Sequence, residues 1–219
     1  MRKVLFAAFI LGIGLPYPVA RSQAQKPTKS TENLTADEVA IYRAVLQLNA
    51  PNNSGAPRTL NVSATTFPLD PSSRRSGLSN SGCLKGIQLD NLASASRSFH
   101  ELSHDILPNK VARLVDPKKQ ENIVHDNDPD KTIGDGKSAD TAVKDALGTA
   151  LFSLSEIAFD KARTHAVVSY TFWCGSLCGN GATWVFEKVG NEWKKTDRNC
   201  GGWISQLRYE LQRCPALSG

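Results

Sequence analysis

The residues whose types and spacing could do chemistry begin with a pair of histidines. His100 and His104 enclose Glu101 in the pattern His-Glu-x-x-His. On a helix this spacing puts both imidazoles on one side, where they could hold Zn²⁺ while the glutamate acts as a general base. One interpretation of the chain is therefore a zinc-dependent hydrolase that uses these three residues, with zinc as its cofactor.

The surroundings of this pattern favour a metal-free interpretation. A zinc site needs a third protein ligand, and Glu121, His125 and Glu156 are equal candidates. The longer metzincin signature is missing, since Leu107 and Lys110 stand where its glycine and third histidine would be. On the predicted helix, the two histidines lie on the flank of the apolar stripe rather than under another element. The favoured prediction therefore assigns no catalytic, cofactor-binding or metal-binding residue.

The cysteines form the second group with possible chemistry. Cys174 and Cys178 lie in a glycine-rich reversal between two apolar runs, so a disulfide between them is the first expectation. So short a loop stabilises a fold by only about 2 kcal/mol. Cys83, Cys200 and Cys214 remain, and one thiol of the five must stay unpaired within the chain. Cys200 with Cys214, or Cys83 with either, are open pairings.

Other kinds of site find little support in the chain. No Gly-x-Ser-x-Gly pattern and no phosphate-binding glycine loop is present. Asp126, Asn127, Asp128 and Asp130 could offer oxygen ligands to calcium, but their spacing does not match the twelve-residue calcium loop. A solvated turn is the preferred interpretation of that acidic run.

The N-terminus predicts export. Arg2 and Lys3 precede an apolar stretch, residues 4–15, that is too short to span a bilayer. Ser22-Gln23-Ala24 then fits the small-x-small rule for cleavage after Ala24. Residues 1–24 are therefore predicted to be a signal peptide, and the mature chain to be secreted or periplasmic with no transmembrane segment.

The charge of the mature chain argues against nucleic acid as a partner. The formal net charge of +5 includes Arg2, Lys3 and Arg21, so removal of the signal peptide leaves 5 − 3 = +2. The sequence also has no block of five or more basic residues. The sequence identifies no partner, and we attribute the small excess of basic over acidic residues to solubility.

The first half of the mature chain predicts helices separated by loops. Residues 25–34 look like a flexible leader, and Thr35 and Glu38 form a capping box that starts a helix. Alternation from Leu60 predicts a short strand. A second helix is expected over about residues 90–106, and a long surface loop over 126–144.

The second half reads as strands, which sets the fold class. Alternating runs from about residue 154 onward, joined by short turns, predict an antiparallel β-meander with a Cys/Gly-rich turn. Helices early and strands late indicate an α+β fold, with the N-terminal helices packed on the meander. The predicted organisation is one domain over residues 35–205 and a C-terminal tail over 206–219.

The C-terminal motifs resemble a module of uncharacterised secreted bacterial proteins. Its most specific part is Cys-Gly-Ser-Leu-Cys-Gly-Asn-Gly at residues 174–181, and the resemblance also covers residues 154–160, 166–168, 192–194 and 203–205. It implies export, a small mixed fold and no known activity. This chain departs from the module by its tail, which carries Cys214.

These observations together favour a binding role over catalysis. We expect an exported bacterial protein of unknown function, a non-enzymatic binding or envelope-associated domain. The zinc hydrolase with His100, Glu101 and His104 is the alternative.

Overall fold

A computed structural model of the protein describes residues 26–50, 59–71, 78, 82–108, 112–176 and 178–205. The predicted signal peptide and the predicted tail lie outside these ranges. The helices within them are α1 (Ala36–Asn49), α2 (Leu92–Ala95), α3 (Pro117–Asp126), α4 (Pro129–Gly134) and α5 (Ala139–Thr149). The strands are β1 (Thr28–Lys29), β2 (Leu60–Ser63), β3 (Ser98–Phe99), β4 (Ala112–Val115), β5 (Leu151–Leu154), β6 (Ala158–Phe159), β7 (His165–Gly175), β8 (Cys178–Val189) and β9 (Glu192–Ser205).

A mixed sheet organises this part of the chain. Its strand order is β4-β2-β5-β7-β8-β9, with β6 paired to β7. The pairs β4–β2 and β2–β5 are parallel, whereas β5–β7, β7–β8 and β8–β9 are antiparallel. A separate parallel pair, β1–β3, lays residues 28–29 of the predicted leader against residues 98–99. The combination of helices with a mixed sheet confirms the α+β class.

Helix α1 covers one face of the sheet, and its start matches the sequence prediction. The Thr35 hydroxyl accepts from the Glu38 N–H at 3.4 Å, and the Glu38 carboxylate accepts from the Thr35 N–H at 2.6 Å. This reciprocal pair satisfies two free amides at the helix start. The buried side of the helix packs against a core that includes Ile41, Tyr42, Val45, Leu46, Val62, Phe152, Phe159, Val168, Phe186 and Trp193.

A second apolar cluster lies on the opposite face of β7 and β8. Val167 and Val185 alternate with the α1-facing residues of their strands, as the two-residue period of a strand requires. They pack with Leu69, Cys83 and Cys200. Both faces of the central strands are therefore buried.

Strand β2 differs from its predicted form because it lies inside the sheet. The sequence suggested one apolar and one solvated face, yet all four residues are buried. A strand between two parallel neighbours is covered on both sides. Asn61 is accommodated because its amide is fully hydrogen-bonded, as described below.

The loop predicted over residues 126–144 is wrong, because this region contains helices. The side chains of Asp116, Asp128 and Ser138 accept backbone N–H groups at the starts of α3, α4 and α5. Pro117 and Pro129 follow the two aspartates at the first helical position, where a missing N–H has no penalty.

Within the described ranges, no helix combines the length and apolar character needed to cross a bilayer.

Candidate functional site

The His-Glu-x-x-His segment is not helical. The helix predicted over about residues 90–106 is wrong, since α2 contains only four residues. His100 follows β3, Glu101 forms an isolated bridge with Thr65, and His104 begins a 3₁₀ turn. The four-residue spacing therefore does not bring the two imidazoles to one side of a helix, which is the geometry that the zinc alternative requires.

The candidates for a third zinc ligand do not assemble around the histidines. Glu121 is exposed on α3, and the ring of His125 packs edge-on against Trp173 with centroids 5.0 Å apart. Only Glu156 contacts His100. In the part of the chain that the structure describes, no group of three or more His, Cys, Asp or Glu side chains is placed to hold a metal ion. The arrangement of these side chains therefore gives the zinc alternative no support.

The contact between Glu156 and His100 joins a buried carboxylate to a partly buried imidazole. Glu156, just after β5, is 4% exposed, and the side chain of His100 is 13% exposed. The Oε2 atom of Glu156 lies 2.8 Å from Nδ1 of His100. Its Oε1 atom accepts the backbone N–H of His100 at 3.0 Å and also the hydroxyl of Thr66. We call this arrangement the histidine–glutamate pair.

Tyr42 ties helix α1 to the segment that carries the pair. Burial raises the pKa of the Tyr42 phenol well above its usual value, and the negative charges of Glu156 and Glu38 raise it further. The phenol therefore keeps its proton, which it donates to the Ser155 carbonyl at 3.0 Å. This bond fixes the backbone beside Glu156.

A disulfide between Cys174 and Cys178 joins the end of β7 to the start of β8. Their Cα atoms lie 5.0 Å apart. Gly175 has φ +133°, and a Cβ at this position would lie 2.7 Å from the proline at the start of α4. The Ser176 N–H donates to Asp128 Oδ2 at 2.7 Å, so the chain reversal is attached to the N-terminus of α4.

The acidic run at residues 126–130 serves helix capping and this attachment. The carboxylate of Asp128 accepts the Asp130 N–H at 3.0 Å in addition to its bonds with Ser176. Asp126 lies 3.6 Å from the Lys131 ammonium. These contacts give the run a structural role in helices α3 and α4 rather than in the solvated turn that the sequence predicted.

A second disulfide links Cys83 to Cys200. It joins the 3₁₀ turn Gly82–Leu84 to strand β9; the partners have a sequence separation of 117, and their Cα atoms lie 5.1 Å apart. Both cysteines are buried in the second apolar cluster. The sequence left this pairing open, and Cys214, the competing partner, lies outside the described residues.

A cavity of mainly apolar lining lies beside the central sheet, at the ends of α1 and α5. Its volume is about 270 Å³. We call it the apolar cleft, and it is lined by Asn49, Thr59, Leu60, Asn61, Leu147, Ala150, Phe152, Phe172 and Asn180. None of these lining residues carries a charge, so the cleft suits an uncharged molecule.

Two of the three asparagines leave polar atoms for a ligand. Asn61 donates to a carbonyl in the last turn of α5 at 3.3 Å and to the carbonyl of the residue after α5 at 3.0 Å, and it accepts from Arg113 at 2.8 Å. Its amide is therefore committed to the fold. Asn49 donates to a carbonyl one turn earlier in α1 at 2.9 Å, which leaves its oxygen as an acceptor. The side chain of Asn180 has no hydrogen bond to any described residue.

Aromatic rings continue from the cleft across the same face of the sheet. Phe152 stacks on Tyr170 with centroids 5.4 Å apart, and Tyr170 meets Trp184 edge-on at 4.9 Å. The ammonium of Lys195 lies 5.3 Å from the centre of the Trp184 ring. Beyond them, Ile204 on β9 is 70% exposed. The cleft thus opens onto a surface that can contact apolar groups.

A further carboxylate–histidine contact lies at the turn before β7. Asp160 Oδ2 is 3.1 Å from Nδ1 of His165. Burial by itself would raise the pKa of Asp160. Hydrogen bonds from the backbone and side chains of Thr164 and His165 outweigh burial and lower that pKa from 3.8 to about 2.

This lowered pKa predicts a pH-dependent loss of stability. A carboxyl group with a lower pKa in the folded than in the unfolded state stabilises the fold above about pH 4, and the contribution is lost as the pH falls towards 2. Replacing Asp160 by asparagine should lower the free energy of unfolding by about 1–2 kcal/mol at pH 7. In urea unfolding, the difference from wild type should shrink between pH 4 and pH 2. A constant difference over that interval would contradict the role given to Asp160.

Comparisons with known proteins assign no relative. No family model, no curated protein and no solved structure matches the chain. The resemblance of residues 154–205 to a secreted bacterial module therefore stays a prediction. The class that fold and site define is an α+β domain with two disulfides and an uncharged, partly aromatic cleft.

Proposed function

We propose that this protein is an exported bacterial domain that binds a small, uncharged and mostly apolar ligand in the apolar cleft. Export is supported by the N-terminal pattern of residues 1–24 and by two disulfides, which suit the periplasm or the extracellular space. The assignment to bacteria and to the cell envelope rests on the resemblance of the C-terminal motifs to the module of secreted bacterial proteins.

The observation that carries the binding role is the composition of the cleft. Ligand sites are typically concave, mainly apolar and about 300–1,000 Å³ in volume, with a few polar groups that orient the ligand. The apolar cleft has about 270 Å³, aromatic walls from Phe152 and Phe172, and the amide of Asn180 at its edge. This size suits a ligand of one or two rings, and the open face beside it leaves room for a longer apolar part.

The ligand we infer is uncharged and carries one or two hydrogen-bonding atoms. A charged group would lose hydration in the cleft without meeting an opposite charge, which is strongly unfavourable. Asn180 can donate or accept, and the Asn49 oxygen accepts. An aromatic amine or alcohol satisfies both conditions.

A fluorescent probe tests this proposal. N-phenyl-1-naphthylamine is uncharged, carries one N–H donor and becomes more fluorescent in apolar surroundings. We expect the mature protein to bind it saturably at one site. Leu147→Trp replaces an aliphatic side chain in the cleft by a larger indole ring. It should weaken binding at least about tenfold, since an overfilled site excludes the probe.

The control makes the same substitution outside the cleft. Leu48 is 53% exposed on α1 and does not line the cleft, so Leu48→Trp should bind the probe as wild type does. Equal weakening by both variants, or no saturable binding by wild type, would contradict the proposal. No observation favours the zinc hydrolase as a second candidate.

A further inference from the structure

The histidine–glutamate pair lies at a cavity distinct from the apolar cleft. This cavity, near the start of α1, has about 370 Å³ and includes His100 and Glu156 in its wall. We call it the polar cavity, because most of its remaining lining carries hydroxyl, amide or charged groups: Lys29, Ser30, Thr31, Glu32, Asn33, Thr35, Glu38, Asn91, Ser94, Ser98 and Arg163. Two different kinds of site are therefore present in one domain.

The hydrogen bonds of the pair assign the proton of the imidazole. The Oε1 atom of Glu156 accepts from the Thr66 hydroxyl and the His100 backbone N–H, and its Oε2 atom lies 2.8 Å from Nδ1 of the His100 ring. A carboxylate can only accept a hydrogen bond. The Nδ1 atom of His100 is therefore the donor, and Nε2 carries the free lone pair. The same assignment orients the base in hydrolases that hold a histidine with a carboxylate.

The Nε2 atom belongs to a residue that lines the polar cavity, and it is not buried. It has no hydrogen-bond partner among the described residues. Every buried side-chain nitrogen or oxygen in those residues does have a partner, so Nε2 is not sealed in the core. The result is an oriented base with its free lone pair open to a polar space, held from behind by a buried carboxylate.

We propose that His100 is the general base of a hydrolytic site in the polar cavity, with small carboxylic esters of hydroxyl-bearing alcohols as the substrate class. Nε2 takes a proton from water while the water oxygen forms a bond to the ester carbonyl carbon. The bond between that carbon and the alkoxy oxygen then breaks, and the imidazolium returns the proton to the leaving alcohol. The sum is ester plus water to acid plus alcohol, with no oxidation or reduction.

The lining of the cavity supports this substrate class. The hydroxyls of Ser30, Thr31 and Ser94 can form hydrogen bonds with a polar alcohol. An apolar ester would leave these hydroxyls without a hydrogen-bond partner on the substrate. Glu156 touches no substrate in this scheme. It is a positioning residue that fixes the tautomer of His100.

Hydrolysis of glycerol monoacetate tests the inference. We expect wild type to hydrolyse it above the buffer rate, and His100→Gln to lose at least about 100-fold, the usual contribution of a general base. Glutamine keeps an N–H donor for Glu156 but offers no base. The matched control is His165→Gln, which alters the other carboxylate-bound histidine and should leave the rate unchanged. Equal rates for wild type and His100→Gln, or no hydrolysis by wild type, would overturn the proposal.

A measurement on wild type keeps the test independent of variant folding. Long-range ¹H–¹⁵N spectra of the imidazoles report which ring nitrogen carries the proton. We expect the Nδ1–H tautomer for the neutral His100 ring. An Nε2–H tautomer would remove the free lone pair and refute the scheme.

Discussion

Replacing Cys83 and Cys200 together by alanine is expected to lower the free energy of unfolding by about 5 kcal/mol. The disulfide closes a loop of 117 residues, and the loss of chain entropy in the unfolded state grows with the logarithm of loop length. For a domain of this size, a decrease of about 5 kcal/mol in the free energy of unfolding corresponds to a fall in melting temperature of about 10–20 °C. Calorimetry under non-reducing conditions measures it.

The short disulfide at the chain reversal provides the matched control. Cys174 and Cys178 close a loop of four residues, for which the same relation gives about 2 kcal/mol. Cys174 is buried as fully as Cys83 and Cys200, so the cavity left by alanine is comparable at the three sites. If removing the short disulfide destabilised the protein as much as removing the long one, the assignment of the long bridge as the main constraint would be wrong.

Replacing Glu156 by alanine is expected to lower the free energy of unfolding by about 3–5 kcal/mol. The carboxylate is buried, and its removal takes an acceptor away from the Thr66 hydroxyl and from the His100 ring. The His100 backbone N–H loses one of its two acceptors and keeps the 2.7 Å bond to Thr66. Removing one partner of a buried ionisable pair is usually this severe. Urea unfolding at pH 7 gives the value.

The neighbouring carboxylate of the sequence motif is the natural comparison. Glu101 is exposed and pairs with Lys29 at 2.6 Å. Exposed ion pairs contribute about 0–1 kcal/mol, so Glu101→Ala should have little effect. A larger loss at Glu101 than at Glu156 would show that the structure places the wrong carboxylate in the interior.

Local signals in the sequence were sufficient where the structure depends on neighbouring residues. The capping box at Thr35 and Glu38 predicted the start of α1, and the apolar residues that follow it at helical spacing, Tyr42, Val45 and Leu46, are buried. Both signals act over a few residues, so they survive without knowledge of the tertiary fold.

Sequence reasoning failed where one local pattern has two meanings. Asp-Pro at residues 128–129 falls within the predicted loop, although an aspartate cap followed by proline at the first helical position is also a helix start. The choice depends on what packs beside the segment. In the same way, His-Glu-x-x-His at residues 100–104 has metal-binding geometry only on a helix, and β3 and the bridge to Thr65 hold this segment extended.

The two cavities could not be found from the sequence because each is made by distant segments. Phe172 was recognisable only as a strand residue and Asn180 only as part of a glycine-rich turn, and Phe152 precedes the strands that the sequence predicts. They meet at one cleft because β5, β7 and β8 are neighbours in the sheet. Glu156 meets His100 across 56 residues, a pairing that the spacing of charged residues does not encode.

Mapping of N-phenyl-1-naphthylamine onto the ¹⁵N-labelled mature protein by amide chemical shifts tests the binding role most directly. We predict that the shifts cluster at Leu60, Leu147, Phe152, Phe172 and Asn180, and that Leu147→Trp abolishes them. Shifts confined to another surface, or unchanged by that substitution, would contradict the apolar cleft as the ligand site.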